Sequence, residues 1–252
     1  MAKLDKTQYS KEEAARLMEI RRLEKVSREK KEQYSKRVVP INFVEEEIVD
    51  ESRFAHNQNV SFVLGNGMSR ATIEPEELKK YGPIYGCNAL YRTFKPDYLI
   101  AVDVKMVLEI NKSGYQHKNI VWTNPNKTYQ KMSNLNYFQP SKGWSSGPTA
   151  LWLASQHNYE KIFILGFDYK GLDSGNRLNN IYADTVNYKK STDGATFFGN
   201  WLRQTASVIK EHPKIMYYRV ISPDNYCPEE LNRFSNVKDI YIEDFKKMFN
   251  IS

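Results

Sequence analysis

The chain has 252 residues, of which 40% are hydrophobic and 13% aromatic, so it can bury a sizeable core and does not have the composition of a disordered protein. Its formal net charge is +7, but the basic excess before residue 38 is followed by the acidic stretch FVEEEIVDESR, and the two blocks largely cancel. Two cysteines without a CxxC pair argue against a disulfide scaffold and against a zinc site.

Residues 1–57 are predicted to form a charged helical arm and an acidic linker. A helix is predicted from Ser10 to Tyr34, because Ser10 is a suitable N-cap and two glutamates follow in the first turn. Its apolar stripe is narrow and ends near Val26, so the helix is not predicted to join a core. Three roles stay open for it: a solvated arm, a segment that docks a partner, or a self-association element.

The N-terminal sequence MAKLDKTQYSKEEAARL lacks the apolar core of a signal peptide. No stretch approaches the roughly 20 apolar residues that a membrane span requires. The cysteine usage favours a reducing compartment. We therefore expect a cytoplasmic protein, or a phage-encoded protein packaged in a virion, with no membrane span.

Residues 58–252 are predicted to form one α/β domain, because short apolar runs alternate with helical segments. The apolar runs are VSFVLG (60–65), PIYGCNAL (83–90), PDYLIAVD (96–103), NIVWTN (119–124), KIFILGFD (161–168) and KIMYYRVIS (214–222). Near-continuous apolar strands separated by helices indicate a parallel sheet that is covered on both faces. The sequence therefore predicts a Rossmann-like, doubly wound, mostly parallel sheet.

Polar residues and glycines follow most of the predicted strands, at the edge where open parallel sheets bind their ligands. They are Gly65, Asn66, Gly67 and Ser69 after the first strand, Asn88 after the second, Asp103 after the third, and Gly166 and Asp168 after the fifth. The glycines are expected to let an anion or a sugar ring approach the backbone. Each position alone also suits an ordinary turn, but their recurrence at one edge favours a binding site.

The segment GWSSG precedes the predicted helix PTALWLASQ. Ser145, Ser146 and Gly147 would lie at the N-terminus of that helix, with Pro148 at its first position. Free N–H groups and the helix dipole at such an end favour a phosphate or a carboxylate.

Several common nucleotide and hydrolase motifs are missing. The segment GNGMSR has Arg70 where the third glycine of a dinucleotide fingerprint would fall, and the chain has no P-loop, no HExxH and no GxSxG. Nucleic acid is not an expected partner, since the tyrosine-rich basic segments suit sugar stacking or core packing equally well.

At these residues the sequence resembles the sialyltransferases of glycosyltransferase family 42 and the related motility-associated-factor flagellin glycosyltransferases. The segment LGNGMSR is similar to the family's first-strand motif, with Met68 in place of a proline, and YGCNALY is similar to its later asparagine step. The most specific likeness is SSGPTALWLASQHNYEKIFILGFDY (145–169), followed by YADT (182–185). The likeness spans residues 60 to about 225.

The resemblance implies a fold that binds a CMP-nonulosonate donor and transfers its sugar to a hydroxyl of a glycan or protein, with no metal and no further cofactor. The implied donor-binding residues are Gly65, Asn66, Gly67, Ser69, Asn88, Asp103, Ser145, Ser146, Gly147, Gly166, Asp168 and Tyr182. Tyr182 matches one tyrosine that stabilises the departing phosphate in the family. Lys170, next to Tyr169, falls near the position of the other and could stabilise the same charge.

Besides Met68, two positions depart from the family pattern. Asn200 stands where the family has its histidine base, and an amide cannot accept the proton of an acceptor hydroxyl. Gly143, with Lys142 beside it, replaces an arginine. Either another group is the base, with Asp193 and Asp168 as weak candidates, or the fold binds without turnover. The alternatives are thus a non-catalytic or virion-structural module anchored by the N-terminal helix, and a weaker magnesium-dependent pyrophosphokinase hypothesis in which Asp103 and Asp168 hold the metal.

Overall fold

A computed structural model describes residues 59–172, 174, 176–222 and 228–251. The predicted arm and linker, residues 1–57, lie outside these residues, and the predicted domain boundary at 58 stays a prediction. Eight strands are present in the described part: β1 Val60–Leu64, β2 Ile84–Cys87, β3 Tyr98–Ile100, β4 Val121–Thr123, β5 Asn136–Tyr137, β6 Lys161–Leu165, β7 Met216–Ile221 and β8 Val237–Tyr241.

The eight strands form one sheet in the order β5-β4-β3-β2-β1-β6-β7-β8, and every pair in it is parallel. The chain runs outward from β1 to β5 and then returns to place β6 on the other side of β1. Phe62 of β1 is in register with Ile84 on one side and with Phe163 on the other. The strand order therefore reverses between β1 and β6, which is where open α/β sheets bind ligands.

Five helices belong to the described residues: α1 Val104–Ser113, α2 Ser146–Gln156, α3 Gly199–Glu211, α4 Glu229–Asn232 and α5 Ile242–Phe249. Short 3-10 helices, including Met68–Arg70 and Asn88–Arg92, follow β1 and β2. None of the helices described is long and apolar enough to cross a membrane.

The helices cover both faces of the sheet because successive strand residues point to opposite sides. Phe62 packs against Phe245 and Phe249 of α5. The next residue, Val63, belongs to the core cluster that contains Leu151 of α2 and Leu202 of α3. The predicted doubly wound α/β fold is confirmed, and the described sheet is wholly parallel.

All six predicted strands are present, but β5 and β8 were not predicted. β5 has only two residues, and β8, VKDIY, is an edge strand without a fully buried residue. An edge strand can keep charged residues because one side meets solvent, so it lacks the continuous apolar run by which the buried strands were recognised.

Candidate functional site

A cavity of about 410 Å³ opens at the carboxyl ends of β1, β2, β3 and β6, beside the N-terminus of α2. Its volume lies within the range of small-molecule sites, roughly 300–1,000 Å³. The predicted site residues that line it are Gly65, Asn66, Gly67, Asn88, Asp103, Ser145, Ser146, Gly147, Gly166, Asp168 and Lys170. Ser69, Tyr182 and Asp193 do not belong to its lining.

The loops after β1 and β6 are clamped together by Ser69 and Asp168. The backbone N–H of Ser69 donates to Oδ2 of Asp168 at 3.1 Å, and the Ser69 hydroxyl donates to Oδ1. The N–H of Gly67 donates to the carbonyl of Gly166 at 3.0 Å. Both carboxylate oxygens of the buried Asp168 are therefore engaged within the protein.

The glycines of these loops face protein atoms. A Cβ on Gly65 would lie 2.4 Å from the carbonyl oxygen of Gly166, and one on Gly67 would lie 2.5 Å from Oδ2 of Asp168. A Cβ on Gly147 would lie 3.2 Å from the ring of Phe167. The close approach of one loop to the other therefore accounts for Gly65 and Gly67, and the expected approach of a ligand to the glycines stays a prediction.

Asn66 is held in place by its neighbours on three sides. Its Nδ2 donates to the carbonyl of Cys87 and to the hydroxyl of Tyr188, at 3.3 Å in both cases. Its Oδ1 accepts from Nη2 of Arg70 at 3.4 Å, and Arg70 also donates through Nε to the carbonyl of Gly65. The carboxamide of Asn66 thus orients the groups around the cavity.

Asn88 presents an unused donor to the cavity. The Ser146 hydroxyl accepts from the N–H of Val102 at 3.1 Å and donates to Oδ1 of Asn88 at 2.8 Å. This arrangement fixes the carboxamide and leaves Nδ2 of Asn88 without an acceptor among the residues described. Asn88 itself has φ +53°, a left-handed conformation that asparagine tolerates well.

The N-terminus of α2 offers further donors. The N–H of Ser145 donates to Oε1 of Gln204 at 3.1 Å, and the N–H of Thr149 donates to the carbonyl of Ser145 at 3.0 Å. Between them, the N–H groups of Ser146 and Gly147 find no acceptor in the described part of the chain, and Pro148 has none to offer. Free N–H groups at a helix N-terminus are suited to an anion, and Lys170 and Lys189 also belong to the lining of the cavity.

Tyr169 and Tyr188 both line the cavity. The hydroxyl of Tyr169 donates to Oγ1 of Thr205 at 2.8 Å, whereas Tyr188 was missed by sequence reasoning. The hydroxyl of Tyr188 accepts from Nδ2 of Asn66 and from the N–H of Ala89, both at 3.3 Å, and its own hydrogen has no acceptor among the described residues. Burial raises the pKa of Tyr188, so the phenol stays protonated and remains a donor. The guanidinium of Arg92 lies 5.7 Å from its ring centre.

The prediction for Tyr182 needs a correction. This residue is buried in the core cluster that contains Ala89 and Leu99, and its hydroxyl pairs with Oγ1 of Thr93 at 3.0 Å. The two tyrosines lie six positions apart, within YADTVNY, and share residue type and context. The sequence alone could not distinguish Tyr182 from Tyr188, because the path of the folded chain decides which of the two side chains lines the cavity.

The segment that carries Tyr188 is fastened to the body by hydrogen bonds along its length. The N–H of Met68 donates to Oδ1 of Asn179 at 2.8 Å, and the N–H of Ile181 donates to the carbonyl of Asn66 at 2.8 Å. At the other end, Nδ2 of Asn187 donates to Glu109 at 2.7 Å. This wall of the cavity is therefore defined by contacts with both β1 and α1.

Glu109 of α1 is the main anchor of that wall. Its carboxylate accepts from Nε and Nη2 of Arg92, at 2.7 and 2.6 Å, and from the hydroxyl of Tyr91 at 2.7 Å. Burial alone would raise the pKa of Glu109, but hydrogen bonds from Arg92, Tyr91 and Asn187 and the charge of Arg92 outweigh it and lower the pKa to about 2.

We expect Glu109→Gln to lower the free energy of unfolding at pH 7 by about 1–3 kcal/mol, because Arg92 would lose its ionised partner. A depressed carboxyl pKa contributes stability above the unfolded value, near 4.5, and loses it as the pH falls towards 2. The difference between wild type and variant should therefore shrink between pH 5 and pH 2, measured by urea unfolding. Glu76→Gln, an exposed control, should show little difference at any pH. A constant difference for Glu109→Gln would contradict the ionic role.

Aromatic residues form one side of the cavity mouth. Phe198 and Trp201, at the start of α3, belong to its lining, and the adjacent Phe197 is 76% exposed. Asn200, which the sequence resemblance aligns with a histidine base, does not line the cavity, and its Oδ1 accepts from Nη2 of Arg203 at 2.9 Å. Aromatic faces beside carboxamides are suited to sugar rings as well as to apolar groups.

The remaining candidates lie outside the cavity. Oδ2 of Asp193 accepts from the N–H of Lys190 at 2.9 Å, and Lys142 pairs with Glu211 at 2.7 Å. Within the described residues, no group of three or more histidine, cysteine, aspartate or glutamate side chains is arranged to hold a metal ion.

Neither a family model nor a curated protein matches this chain.

Proposed function

We propose that this protein is a glycosyltransferase-like protein that binds a nucleotide-activated sugar in the cavity between the ends of β1 and β6. One observation carries the proposal: hydrogen-bond donors without internal acceptors converge on one cavity at the reversal point of the sheet. They are Nδ2 of Asn88, the N–H groups of Ser146 and Gly147, and the hydroxyl of Tyr188. Such a set is complementary to phosphate oxygens and sugar hydroxyls.

The class of donor follows from the resemblance to the sialyltransferases of family 42. This resemblance implies that the donor is a CMP-nonulosonate. In this assignment the N-terminus of α2 holds the phosphate. Tyr188 takes the role first given to Tyr182 and donates a hydrogen bond to the phosphate oxygen as it leaves. Lys170 adds positive charge on the same lining. These groups belong to the chain itself, so the proposed chemistry requires no cofactor.

The acceptor in this proposal is a hydroxyl of a glycan or a protein that enters at the aromatic mouth. Phe198 and Trp201 provide flat apolar faces, and Lys189, also in the lining, provides a polar group. Aromatic rings can stack on the C–H face of a pyranose and exclude water from the reacting centre. A cytoplasmic or virion-associated location remains part of the proposal.

The test is the release of CMP from a CMP-nonulosonate. Full-length protein is incubated with CMP-N-acetylneuraminate, and CMP and free sugar are separated by chromatography. The proposal predicts CMP release above the uncatalysed rate with water as the acceptor, and faster release with a productive glycan. Absence of both CMP release and CMP binding would contradict it.

A second candidate, a binding or virion-structural module without turnover, is favoured by one observation. The residue at the predicted base position, Asn200, is an amide that pairs with Arg203 and lies outside the cavity lining. This candidate predicts that the protein binds CMP but releases none from the donor. The same incubation therefore separates the two functions.

A further inference from the structure

Transfer to a hydroxyl requires a proton acceptor in the cavity, and the position expected to hold a histidine base is filled by Asn200. Among the described residues that line the cavity, the carboxylates are Asp103 and Asp168, and none is a histidine. Asp168 is engaged through both of its oxygens by Ser69. Of these two carboxylates, Asp103 is therefore the one whose oxygens are available to accept a proton.

Asp103 occupies the N-cap of α1 but does not use its side chain as a cap. Its backbone carbonyl accepts from the N–H groups of Met106 and Val107 at 3.0 Å, with φ −79° and ψ 127°. Aspartate is favoured at N-caps because its carboxylate normally accepts from the first turn of the helix. Here that hydrogen bond is absent, and the exposed carboxylate makes no hydrogen bond or ion pair with a residue the structure describes.

The charge of Asp103 also affects the pKa of a neighbouring group in the cavity lining, the thiol of Cys87. Burial, and to a smaller extent the charge of Asp103, raise the pKa of the Cys87 thiol to about 12 against the opposing charge of Arg70. Cys87 lines the same cavity, at the end of the neighbouring strand β2. Asp103 thus has an uncommitted carboxylate that acts electrostatically on the interior of the site.

We propose that Asp103 is the general base of the transfer reaction, an assignment that rests on the proposed function. A carboxylate oxygen of Asp103 takes the proton from the acceptor hydroxyl as the hydroxyl oxygen bonds to the anomeric carbon of the donor. The bond from that carbon to the phosphate oxygen breaks, and CMP leaves with the electron pair. The protonated carboxyl then returns its proton to solvent.

The experiment measures CMP release from CMP-N-acetylneuraminate by Asp103→Asn and Asp103→Ala. We expect both variants to bind CMP as wild type does, and to release it about 10²- to 10⁴-fold more slowly, which is the usual contribution of a general base. Sodium azide is the diagnostic reagent, because it is an anionic nucleophile that needs no deprotonation. Azide should accelerate CMP release by Asp103→Ala and form the glycosyl azide.

Asp244→Asn, an exposed change on α5, is the matched control and should leave release unchanged. Release by Asp103→Asn within twofold of wild type would overturn the assignment, as would a slow Asp103→Ala that does not respond to azide. A wild-type protein that binds CMP but releases none would also overturn it, since a base then has no reaction to serve. A protein that binds no CMP would instead reject the proposed function itself, and the base with it.

Discussion

Ser145→Asp is expected to lower the affinity for CMP by about 100-fold while the fold stays at least as stable as wild type. Ser145 is the N-cap of α2, and its side chain makes no capping hydrogen bond. An aspartate there can accept from the first turn and interact favourably with the helix dipole, which is worth about 0.3–1 kcal/mol. The same carboxylate would lie where the proposal places the phosphate, and juxtaposed like charges cost several kcal/mol.

Ser145→Asn is the control for this prediction, because asparagine has nearly the same shape and capping ability without the charge. Because its cap would compete for the same N–H groups as the phosphate, we expect it to bind CMP less tightly than wild type, but more tightly than Ser145→Asp does. Affinity is measured by calorimetry and stability by urea unfolding, for both variants. If Ser145→Asp bound CMP as tightly as Ser145→Asn does, the phosphate would not lie at the N-terminus of α2.

Gly65→Ala is expected to destabilise the protein by about 3 kcal/mol, the upper part of the range for overpacked sites. The added Cβ would lie 2.4 Å from the carbonyl oxygen of Gly166 and 2.7 Å from the ring of Phe167. The carbonyl belongs to the backbone and the N–H of Gly67 already donates to it, so it cannot move aside without opening the clamp between the two loops.

Gly194→Ala is the matched control for Gly65→Ala. A Cβ on Gly194 would meet no atom within 4 Å, and its backbone is not in the left-handed region. A glycine replaced by alanine at such a site gains about 0.4–1 kcal/mol through the unfolded state. Equal effects of the two variants on the midpoint of urea unfolding would show that the loops after β1 and β6 are not in close contact.

The fold was largely predictable because buried parallel strands leave a strong local signal. The runs around Phe62 and Phe163 are mostly apolar, since both faces of the sheet are covered. The edge strand β8 carries Lys238 and Asp239 and could not be recognised in the same way. What the sequence lacked was the strand order, which depends on contacts between residues far apart in the chain.

For the candidate site, the sequence could predict its location in the fold but not the contacts between its residues. The rule that ligands bind at the carboxyl ends of strands led to Asn88 and Asp103, and the helix N-terminus led to Ser146; all three line the cavity. The contacts of each residue were not predictable, because they depend on which side chains hydrogen-bond across the cavity. Ser69 and Asp168 are bonded to one another, and their expected contact with a ligand stays a prediction.

The proposed function requires that the cavity at the reversal point of the sheet binds the phosphate of a nucleotide. The most direct test is a calorimetric titration of the full-length protein with CMP and, separately, with cytidine, which lacks the phosphate. We expect one saturable CMP site per chain and binding of cytidine weaker by about tenfold or more, since charge-assisted hydrogen bonds to the phosphate contribute roughly 1.5–3 kcal/mol each. Equal affinities for CMP and cytidine, or no heat with either at millimolar concentration, would contradict it.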